Sequence, residues 1–493
     1  MYTRLALASV LLALTCLKGT AQNPESAITG IHQEQSEYYS AVYGTSIPAG
    51  MASPEMPVAL KSRKTIESAF MVYGWHPYWA GTNAYLSYDY DVLTHIAYFS
   101  YEVDTASGSY TTLRGWDVTP VIGYAHQRGV KVMLTVTNFG SERNTKILTD
   151  TVKQWTLINT LITQLQSRNG DGVNFDFESV PSSMKANMVS FCKRAVRGIK
   201  AALPQAEISF ATPPVNWSDG WDLAGLAANC DYLIMMGYNY YYGGSATAGP
   251  VAPLKGENYN VTKSIEEEYV ADGVPRSKLL MGMPWYGYDW PVVSDVRKAA
   301  TTGAGTSRIY SASIPMVTSY GKTFDNTTGV PWMSYQGTTG WRQMWFEDSL
   351  SLLMKSNYAF THDLAGIGIW ALSYEGGRKE IWNGIKAVMA GTVSSDEPPL
   401  YPGSNGNIIT AITPNPALAE AVIHYYISNP GRMTLTVYDS GGRLVALLAE
   451  GQAFPGAWTE TINAGVLPPG LYFCVLTTPG GRHSVKFAVA GKY

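Results

Sequence analysis

Two carboxylates and one amide lie at alternate positions of one short stretch, and carboxyl groups can donate and accept protons in catalysis. The stretch is Asp171-Gly172-Val173-Asn174-Phe175-Asp176-Phe177-Glu178. Side chains of a strand alternate between its two faces, so Asn174, Asp176 and Glu178 share one face and the apolar residues share the other. Burying carboxylates without partners is costly, so a fold that keeps two of them on one buried face is expected to use them. The stretch therefore predicts a strand that carries a catalytic pair.

Two other interpretations fit the same residues. An antiparallel strand at a surface could leave its acidic face solvated. A metal site is the second alternative, but at about 3.3 Å per residue Asn174 and Glu178 lie on the order of 13 Å apart along the strand, too far to share one cation. The sequence therefore predicts neither a metal nor a cofactor.

Composition limits the classes of partner. The chain has 493 residues, of which 46% are hydrophobic and 15% are charged, with a formal net charge of −3. That length suits two or three globular domains. The slightly acidic balance and the lack of a long Lys/Arg run argue against nucleic acid as a partner. The 33 Tyr and 14 Trp residues suit a packed core, and they also suit stacking against the apolar faces of sugar rings.

The first 65 residues predict export followed by a connecting segment. Residues 1–21 have a positive start at Arg4, an apolar stretch from Leu5 to Leu17 and a small residue, Ala21, before the expected cleavage point, which is typical of a signal peptide. The apolar stretch is too short to span a bilayer, so no transmembrane helix is expected in the mature protein, which would be secreted or held at the cell surface after passing through the periplasm. Residues 22–65 are polar and weakly patterned, which predicts a linker ahead of the first domain.

Cysteine usage does not indicate a disulfide framework. Beyond the predicted signal peptide the chain has Cys192, Cys230 and Cys474. Three buried free thiols are expected, and one bridge between Cys192 and Cys230 is the alternative.

Eight apolar β-type runs recur between residues 66 and 390, and several of the stretches between them have a helical pattern. Alternation of strand and helix predicts parallel βα units, and eight units predict a (β/α)₈ TIM barrel with its active site at the carboxyl ends of the strands, where Glu178 would lie. Between the seventh and eighth runs, Tyr288 to Ala365 is long and rich in aromatic residues, which predicts a small inserted lobe. The runs are Met71–Trp75, Leu93–Tyr101, Gly129–Thr137, Gly172–Glu178, Glu207–Thr212, Tyr232–Tyr238, Lys278–Pro284 and Gly366–Leu372.

These residues resemble glycoside hydrolase family 18, the chitinase-like enzymes, whose fourth barrel strand has the motif Asp-Gly-x-Asp-x-Asp-x-Glu. Two departures stand out, because Asn174 and Asn239 replace the Asp residues usual in the family. Members that act on bacterial cell walls also resemble this sequence in carrying Asn at the first position. The third-strand Ser-x-Gly-Gly pattern is missing as well. Four further runs are similar to the first, sixth, seventh and eighth strands of the family: Tyr73-Gly74-Trp75, Met236-Gly237-Tyr238-Asn239, Met283-Pro284-Trp285-Tyr286-Gly287 and Ile369-Trp370.

Geometry and the resemblance together suggest a mechanism. Two carboxylates on one face of a strand cannot flank a glycosidic bond from opposite sides, so another group must attack the sugar. The resemblance implies that this group is the 2-acetamido carbonyl of the substrate, with Glu178 as general acid and base, Asp176 on the acetamido N–H and Tyr238 on its oxygen. It also implies substrate contacts from Asn174, Met236, Asn239, Tyr286, Trp370 and Trp75.

The expected activity is retaining hydrolysis of β-1,4-linked N-acetylglucosamine polymers. Chitin is the first candidate substrate, peptidoglycan the second and the core of N-linked glycans the third. A lectin-like protein that binds such sugars without cutting them is the alternative class. The presence of Glu178, Asp176 and Tyr238 favours the enzyme, because loss of the acid is the simplest route to a binding protein.

The chain changes character after the barrel. Residues 391–407 are rich in Gly, Ser and Pro and predict a linker, and residues 408–493 have short alternating strands separated by turn signals, which predicts a β-sandwich. A carbohydrate-binding module is one interpretation. The other follows from a resemblance to the C-terminal sorting domain of type IX secretion cargo, which implies the type IX secretion machinery as a partner. This resemblance rests on Pro414-Asn415-Pro416, Val437-Tyr438-Asp439-Ser440-Gly441-Gly442-Arg443, Gly470-Leu471-Tyr472 and Lys486-Phe487.

Overall fold

A computed structural model describes residues 30–45, 59–60, 70–391, 408–427, 431–453 and 456–491. The predicted signal peptide, residues 1–21, lies outside these residues, and so does nearly all of the predicted linker 391–407. Among the described helices, none combines the length and apolar character that crossing a bilayer requires.

Helix α1 (Ile31–Tyr43) is the first described element and precedes the barrel. The polar composition of residues 22–65 predicted only a linker, whereas 13 of these residues form a helix that ends at Gly44, where φ is +62°. The buried residues of α1 are Ile31, His32, Gln35 and Ser36. Three of these four are polar, so the burial of this helix is not visible as an apolar stripe.

The predicted barrel is confirmed. Its strands pair in parallel and close on themselves, since β1 pairs with β2 on one side and with the last barrel strand on the other. Strand β3 is an antiparallel addition to the end of β2. The strands that precede the insertion are β1 (Met71–Pro77), β2 (His95–Val103), β3 (Tyr110–Thr112), β4 (Lys131–Phe139), β5 (Gly172–Glu178), β6 (Glu207–Thr212), β7 (Tyr232–Met235) and β8 (Leu279–Pro284).

Helices follow most of these strands and cover the outside of the barrel. The two longest, Thr151–Arg168 and Lys185–Ala202, agree with the helical pattern expected between the strands. Asp150 caps the first of them by accepting from the backbone N–H groups of Val152 and Lys153. The helices before the insertion are α2 (Val121–His126), α3 (Ser141–Leu148), α4 (Thr151–Arg168), α5 (Lys185–Ala202), α6 (Leu223–Ala227) and α7 (Val261–Lys263), which continues as a π-helix over Ser264–Val270.

The inserted lobe is also confirmed. It is an antiparallel sheet of five strands in the order β10-β9-β13-β12-β11, with one helix against it. After it, helix α9 (Ser349–Thr361), strand β14 (Gly366–Trp370) and helix α10 (Glu380–Met389) complete the barrel. The lobe contains β9 (Tyr286–Pro291), β10 (Thr306–Ile309), α8 (Tyr310–Tyr320), β11 (Thr323–Asp325), β12 (Val330–Gly337) and β13 (Gly340–Trp345).

The carboxyl-terminal region forms two antiparallel sheets with a common core. The sheets have the orders β15-β16-β19 and β18-β17-β20-β21. Ile423 of the first sheet and Leu435 of the second lie in one buried cluster, so the two sheets pack as a sandwich. The strands are β15 (Ile408–Thr413), β16 (Glu420–Ile427), β17 (Gly431–Asp439), β18 (Leu444–Ala453), β19 (Gly456–Asn463), β20 (Gly470–Thr478) and β21 (Gly481–Val489).

The three cysteines of the described residues are free and buried. This agrees with the expectation of free thiols rather than a Cys192–Cys230 bridge.

Candidate active site

Strand β5 sends its polar residues into the barrel and its apolar residues outward. Phe175 and Phe177 pack against Phe191 of α5, with ring centroids 5.1 and 5.6 Å away. Asp176 has no exposed surface, and Glu178, the last residue of the strand, is only 6% exposed. Because β5 pairs in parallel with both β4 and β6, the alternative of a surface strand with a solvated acidic face is wrong.

Asn174 lies below the two carboxylates and is fully buried. Its Oδ1 accepts from Trp75 Nε1 at 3.0 Å, and its Nδ2 donates to Ser209 Oγ at 3.0 Å. Both ends of the amide are therefore engaged by protein, across β1 and β6. This arrangement makes Asn174 a support beneath the cleft, although the sequence analysis placed it among the residues that contact the substrate.

The backbone at Glu178 is fixed by the neighbouring strand. The Glu178 carbonyl accepts from Gly140 N at 3.1 Å and from Asn144 Nδ2 at 2.6 Å. Asn144 Oδ1 in turn accepts from Asn138 Nδ2 at 2.8 Å. Asn138 and Gly140 belong to Thr137-Asn138-Phe139-Gly140, which stands where the family usually has its third-strand Ser-x-Gly-Gly pattern. Hydrogen bonds from this stretch and from Asn144 therefore position the carboxyl end of β5.

The residues after β7 face β5 across the barrel mouth. Tyr238 is buried, and this burial, together with the nearby carboxylates of Asp176 and Glu178, raises the pKa of its hydroxyl well above 10. The hydroxyl therefore stays protonated and can donate a hydrogen bond. Asn239 has φ of +59°, a left-handed conformation that Asn tolerates, and its Oδ1 accepts from Tyr286 Oη at 2.6 Å.

Two tryptophans form the floor of the site. Trp370 ends β14, and its ring lies 6.1 Å from that of Trp75, edge to face. Both are fully buried. One face of Trp370 is covered by a side chain of α1, while the Trp75 indole N–H donates to Asn174.

Helix α1 places His32 at the centre of this arrangement. The ring stacks on Trp370 with centroids 3.7 Å apart and an interplanar angle of 29°. Nδ1 lies 2.7 Å from Asp176 Oδ2, and Nε2 lies 2.8 Å from the Tyr238 hydroxyl. A carboxylate oxygen accepts, so Nδ1 donates, and the matching neutral tautomer accepts from Tyr238 at Nε2. Sequence analysis did not predict any role for His32.

His32, Asp176 and Glu178 also have the residue types of a metal site, with donor atoms all within 4.8 Å of one another. Two ligands each about 2 Å from a tetrahedral zinc ion lie about 3.3 Å apart. The 2.7 Å between His32 Nδ1 and Asp176 Oδ2 is instead the length of a hydrogen bond. In this conformation the group is therefore a hydrogen-bonded cluster.

The family model described as "Glycosyl hydrolases family 18" matches residues 70–375, which cover all eight barrel strands and the insertion. The chain belongs to this family. Membership makes it a glycosidase, and the position of Glu178 at the carboxyl end of the fourth barrel strand agrees with the active-site end of such barrels.

Two curated relatives illustrate the similarity in sequence. Human di-N-acetylchitobiase is 23% identical over 342 residues, which are 62% of this chain and 82% of the relative. A cortical fragment-lytic enzyme of Bacillus anthracis is 26% identical over 301 residues, or 57% of this chain and 65% of the relative. A third relative, the putative sporulation-specific glycosylase YdhD of Bacillus subtilis, is 27% identical over 260 residues. The match spans 59% of the length of that relative, which is less than two thirds.

Solved structures of chitinases have the same barrel fold. A chitinase from Cycas revoluta in complex with (GlcNAc)3 has a TM-score of 0.58 at 18% identity, covering 66% of this chain and 100% of that chain. Catalytic domain 2 of a group II chitinase from Ostrinia furnacalis has a TM-score of 0.59 at 19% identity, covering 68% and 99%. At such identities the likeness concerns the barrel alone.

The structure brings most of the predicted residues together. Glu178, Asp176, Tyr238 and Trp370 all lie within contact of α1 or of the cavity beside it. Met236 and Asn239 line that cavity. Three predicted residues lie behind the surface and contact protein side chains instead: Asn174, Trp75 and Tyr286.

The cavity beside Glu178 adds residues that the sequence analysis did not predict. Its enclosed volume is about 70 Å³ with α1 in place, which is well below the usual size of a small-molecule site. Trp217 and Trp221 line it together with Pro213. Trp217 lies in the loop after β6, at the active-site end of the barrel. An aromatic residue in such a loop is a sequence feature from which a substrate contact could have been predicted.

Proposed function

We propose that the protein is a secreted retaining glycosidase that cleaves β-1,4-linked N-acetylglucosamine polymers, chitin first, by substrate-assisted catalysis. The main support is the way in which Asp176 and Tyr238 both hydrogen-bond to one small polar group, the His32 imidazole. His32 presents a donor to Asp176 at 2.7 Å and an acceptor to Tyr238 at 2.8 Å. A 2-acetamido group has the same pair, an N–H donor and a carbonyl acceptor, and the sugar ring above it would stack on Trp370 as the imidazole does.

Charge and hydrogen bonding suit the proposed steps. Asp176 Oδ1 is buried with no hydrogen-bond partner among the described residues, so the carboxylate can accept from an acetamido N–H and stabilise the positive charge that develops. Tyr238, held protonated by its raised pKa, can orient the carbonyl oxygen. Both contacts place that oxygen for attack, which supplies the effective concentration of an intramolecular nucleophile.

The reaction then needs one acid. Glu178 gives its proton to the glycosidic oxygen while the bond from that oxygen to C1 breaks and the acetamido oxygen bonds to C1, giving an oxazolinium. Water next attacks C1, its proton passes to Glu178, and the bond between C1 and the acetamido oxygen breaks. Two displacements at C1 retain the β configuration.

Peptidoglycan is the second candidate substrate. Asn174 favours it, because the sequence resembles cell-wall-acting members of family 18 at that position. The buried amide lies under Asp176 and does not reach the cleft, so substrate choice would depend on the cavity walls. Release of muropeptides with no soluble product from chitin would select this candidate.

Export is the other part of the proposal. The turn between β17 and β18 lies within the run that resembles a type IX sorting domain, and it is ordered by Asp439, whose Oδ1 accepts from the backbone N–H groups of Gly441 and Arg443 at 3.0 Å each. These contacts show that Asp439, Gly441 and Arg443 also stabilise the turn, so their presence does not by itself indicate sorting. The proposal of secretion therefore rests on the resemblance and the signal-peptide pattern together.

Substitution of Glu178 tests the hydrolytic role. Glu178→Gln keeps the shape and removes the proton, so turnover of a fluorogenic di-N-acetylchitobioside should fall by about 100-fold or more. Glu142→Gln is the control, because Glu142 is an exposed helix residue with 81% of its side chain accessible. Turnover within a few-fold of the parent for Glu178→Gln would exclude this residue as the acid.

A further inference from the structure

Helix α1 lies across the carboxyl ends of the barrel strands and contacts opposite sides of the mouth. Gln35 Oε1 accepts from Trp370 Nε1 at 3.0 Å and from the Tyr374 hydroxyl at 2.6 Å. Glu34 accepts from the Tyr288 hydroxyl of the inserted lobe at 2.9 Å. The helix thus bridges the eighth barrel strand and the lobe directly above the catalytic residues.

The start of the helix approaches the proposed acid closely. A Cβ atom built on Gly30 would lie 1.8 Å from Glu178 Oε2, so a larger residue could fit only if Glu178 moved. His32 Nδ1 is 3.7 Å from Glu178 Oε1. Glu178 is only 6% exposed although it ends a strand at the open side of the barrel, and Gly30 and His32 both lie close to its carboxylate.

A sugar and His32 cannot occupy this place together. The imidazole covers the face of Trp370 at 3.7 Å and uses the hydrogen-bonding groups of Asp176 and Tyr238. Gln35 uses the indole N–H of Trp370. Asp176, Tyr238 and Trp370, the three residues proposed to hold the acetamido sugar, therefore each already contact α1.

The far end of α1 is anchored outside the catalytic cluster. Tyr39 stacks on Trp79 with centroids 4.6 Å apart. The Arg114 guanidinium donates to the Gly44 carbonyl and to Ser40 Oγ. These contacts fix the helix along its length, yet most of them are hydrogen bonds and ring contacts, which sugar hydroxyls and sugar faces can replace.

We propose that helix Ile31–Tyr43 is an inhibitory segment of this chain, which occupies the catalytic site as a mimic of an N-acetylated sugar and must leave before substrate can bind. The inference rests on the proposed function for the class of sugar that competes with it. It predicts that the full chain is held below its intrinsic activity by its own amino-terminal helix.

Two full-length double variants test the proposal. His32→Ala with Gln35→Ala removes the ring that stacks on Trp370 and the buried hydrogen bonds to Asp176, Tyr238, Trp370 and Tyr374, while alanine keeps the helix propensity high. Glu37→Ala with Val42→Ala is the matched control on the solvent face of the same helix, where Val42 is 56% exposed. The first readout is kcat/KM on a fluorogenic di-N-acetylchitobioside, and the second is amide hydrogen exchange over residues 31–43 with and without tri-N-acetylchitotriose.

We expect His32→Ala/Gln35→Ala to raise kcat/KM at least tenfold, mainly through a lower KM, because the lost hydrogen bonds no longer oppose substrate. Exchange over residues 31–43 should become faster in this variant, and the trisaccharide should speed it in the parent. The control should match the parent in both readouts. A kcat/KM for His32→Ala/Gln35→Ala that is equal to or below that of an active parent would overturn the inference and leave the proposed function standing.

Failure of the proposed function would look different. If neither the parent nor the variant hydrolysed any N-acetylglucosamine substrate, the proposed glycosidase activity would be wrong. The hydrogen-exchange data alone would then show whether a sugar and α1 compete for the same place. Loss of protection over residues 31–43 on adding trisaccharide would sustain the mimicry. Protection that the sugar leaves unchanged would overturn it.

Discussion

Asn174 shows how one residue of the motif can change its electrostatics without changing its shape. A carboxylate at this position would point the same way as Asp176, two residues further along the strand. The amide instead donates to Ser209 and accepts from Trp75. An aspartate can only accept when ionised, so it could keep both neighbours only if the Ser209 hydroxyl turned to donate.

Asn174→Asp should therefore alter the pH dependence of catalysis. Two like charges on one buried face cannot both ionise freely, so the new carboxylate raises the pKa at which the pair loses its proton. We expect the acid limb of the kcat/KM profile to move toward higher pH by roughly one unit. Asn159→Asp is the control, since it adds the same charge at an exposed position of α4. Superimposable profiles for Asn174→Asp and the parent would show that the position acts only through packing.

Sequence identified the catalytic residues because their pattern is local, and it missed the residue that covers them. Glu178, Asp176 and Tyr238 are placed by the alternation of a strand and by a motif. His32 meets Asp176 across 144 positions of sequence, and no local spacing relates the two. A signal was present, since His32, Gln35, Tyr39 and Tyr43 recur at helical intervals, but the residues are polar or aromatic and give no apolar stripe.

At the scale of single elements, the amino end of the barrel is held by an ion cluster opposite the active site. Glu207, at the start of β6, lies 2.9 Å from His95 Nε2 of β2 and also contacts Lys131 of β4. Burial alone raises the pKa of this carboxyl, but the hydrogen bonds and charges of His95 and Lys131 outweigh it and lower the pKa to about 2. The cluster thus stabilises the ionised carboxylate and joins three strands across the barrel interior.

Glu207→Gln should lower stability in a pH-dependent way. The folded-state pKa of Glu207 lies below the ordinary glutamate value of 4.5, so the stabilisation is complete above about pH 4.5 and is lost as pH falls through about 2. The shift corresponds to on the order of 3 kcal/mol at neutral pH. Denaturant unfolding of parent and variant should therefore differ near pH 7 and converge near pH 2. Glu267→Gln, at an exposed position, should show no such convergence, and a constant difference for Glu207→Gln would contradict the ion-cluster account.

The elements themselves were largely predictable, and their roles less so. The eight apolar runs became the eight parallel strands because buried parallel strands require such runs. The inserted lobe followed from the length of Tyr288–Ala365. The polar stretch 22–65 was predicted as a linker because composition indicates only whether a segment can form a core of its own. Helix α1 has no core of its own and packs its buried face against the barrel instead.

At the scale of the whole molecule, the β-sandwich lies against helices α9 and α10 of the barrel through strand β19, and a polar group adds to this contact. Lys322 of the inserted lobe donates to the Tyr426 hydroxyl of β16 at 2.9 Å, and it also pairs with Asp348. The sandwich has its own buried core. These features suit a unit that is added to a complete enzyme, which agrees with a proposed role in export rather than in catalysis.

Deletion of residues 408–493 tests that role. In a host with type IX secretion, the truncated protein should stay in the periplasm, because the proposed sorting signal is gone, while Glu178→Gln should be exported like the parent. Cell fractionation measures both. Export of the truncated protein together with loss of chitin binding would contradict the sorting role and identify the sandwich as a carbohydrate-binding module.

Substrate-assisted retention is the central claim, and proton NMR of the anomeric signals tests it most directly. The parent and the His32→Ala/Gln35→Ala variant would be given penta-N-acetylchitopentaose and, separately, cellopentaose, which lacks the acetamido group. We expect the β anomer to appear first from the chitin oligomer, with cellopentaose left intact, because the acetamido oxygen is the nucleophile. Initial release of the α anomer, or comparable cleavage of cellopentaose, would contradict the account.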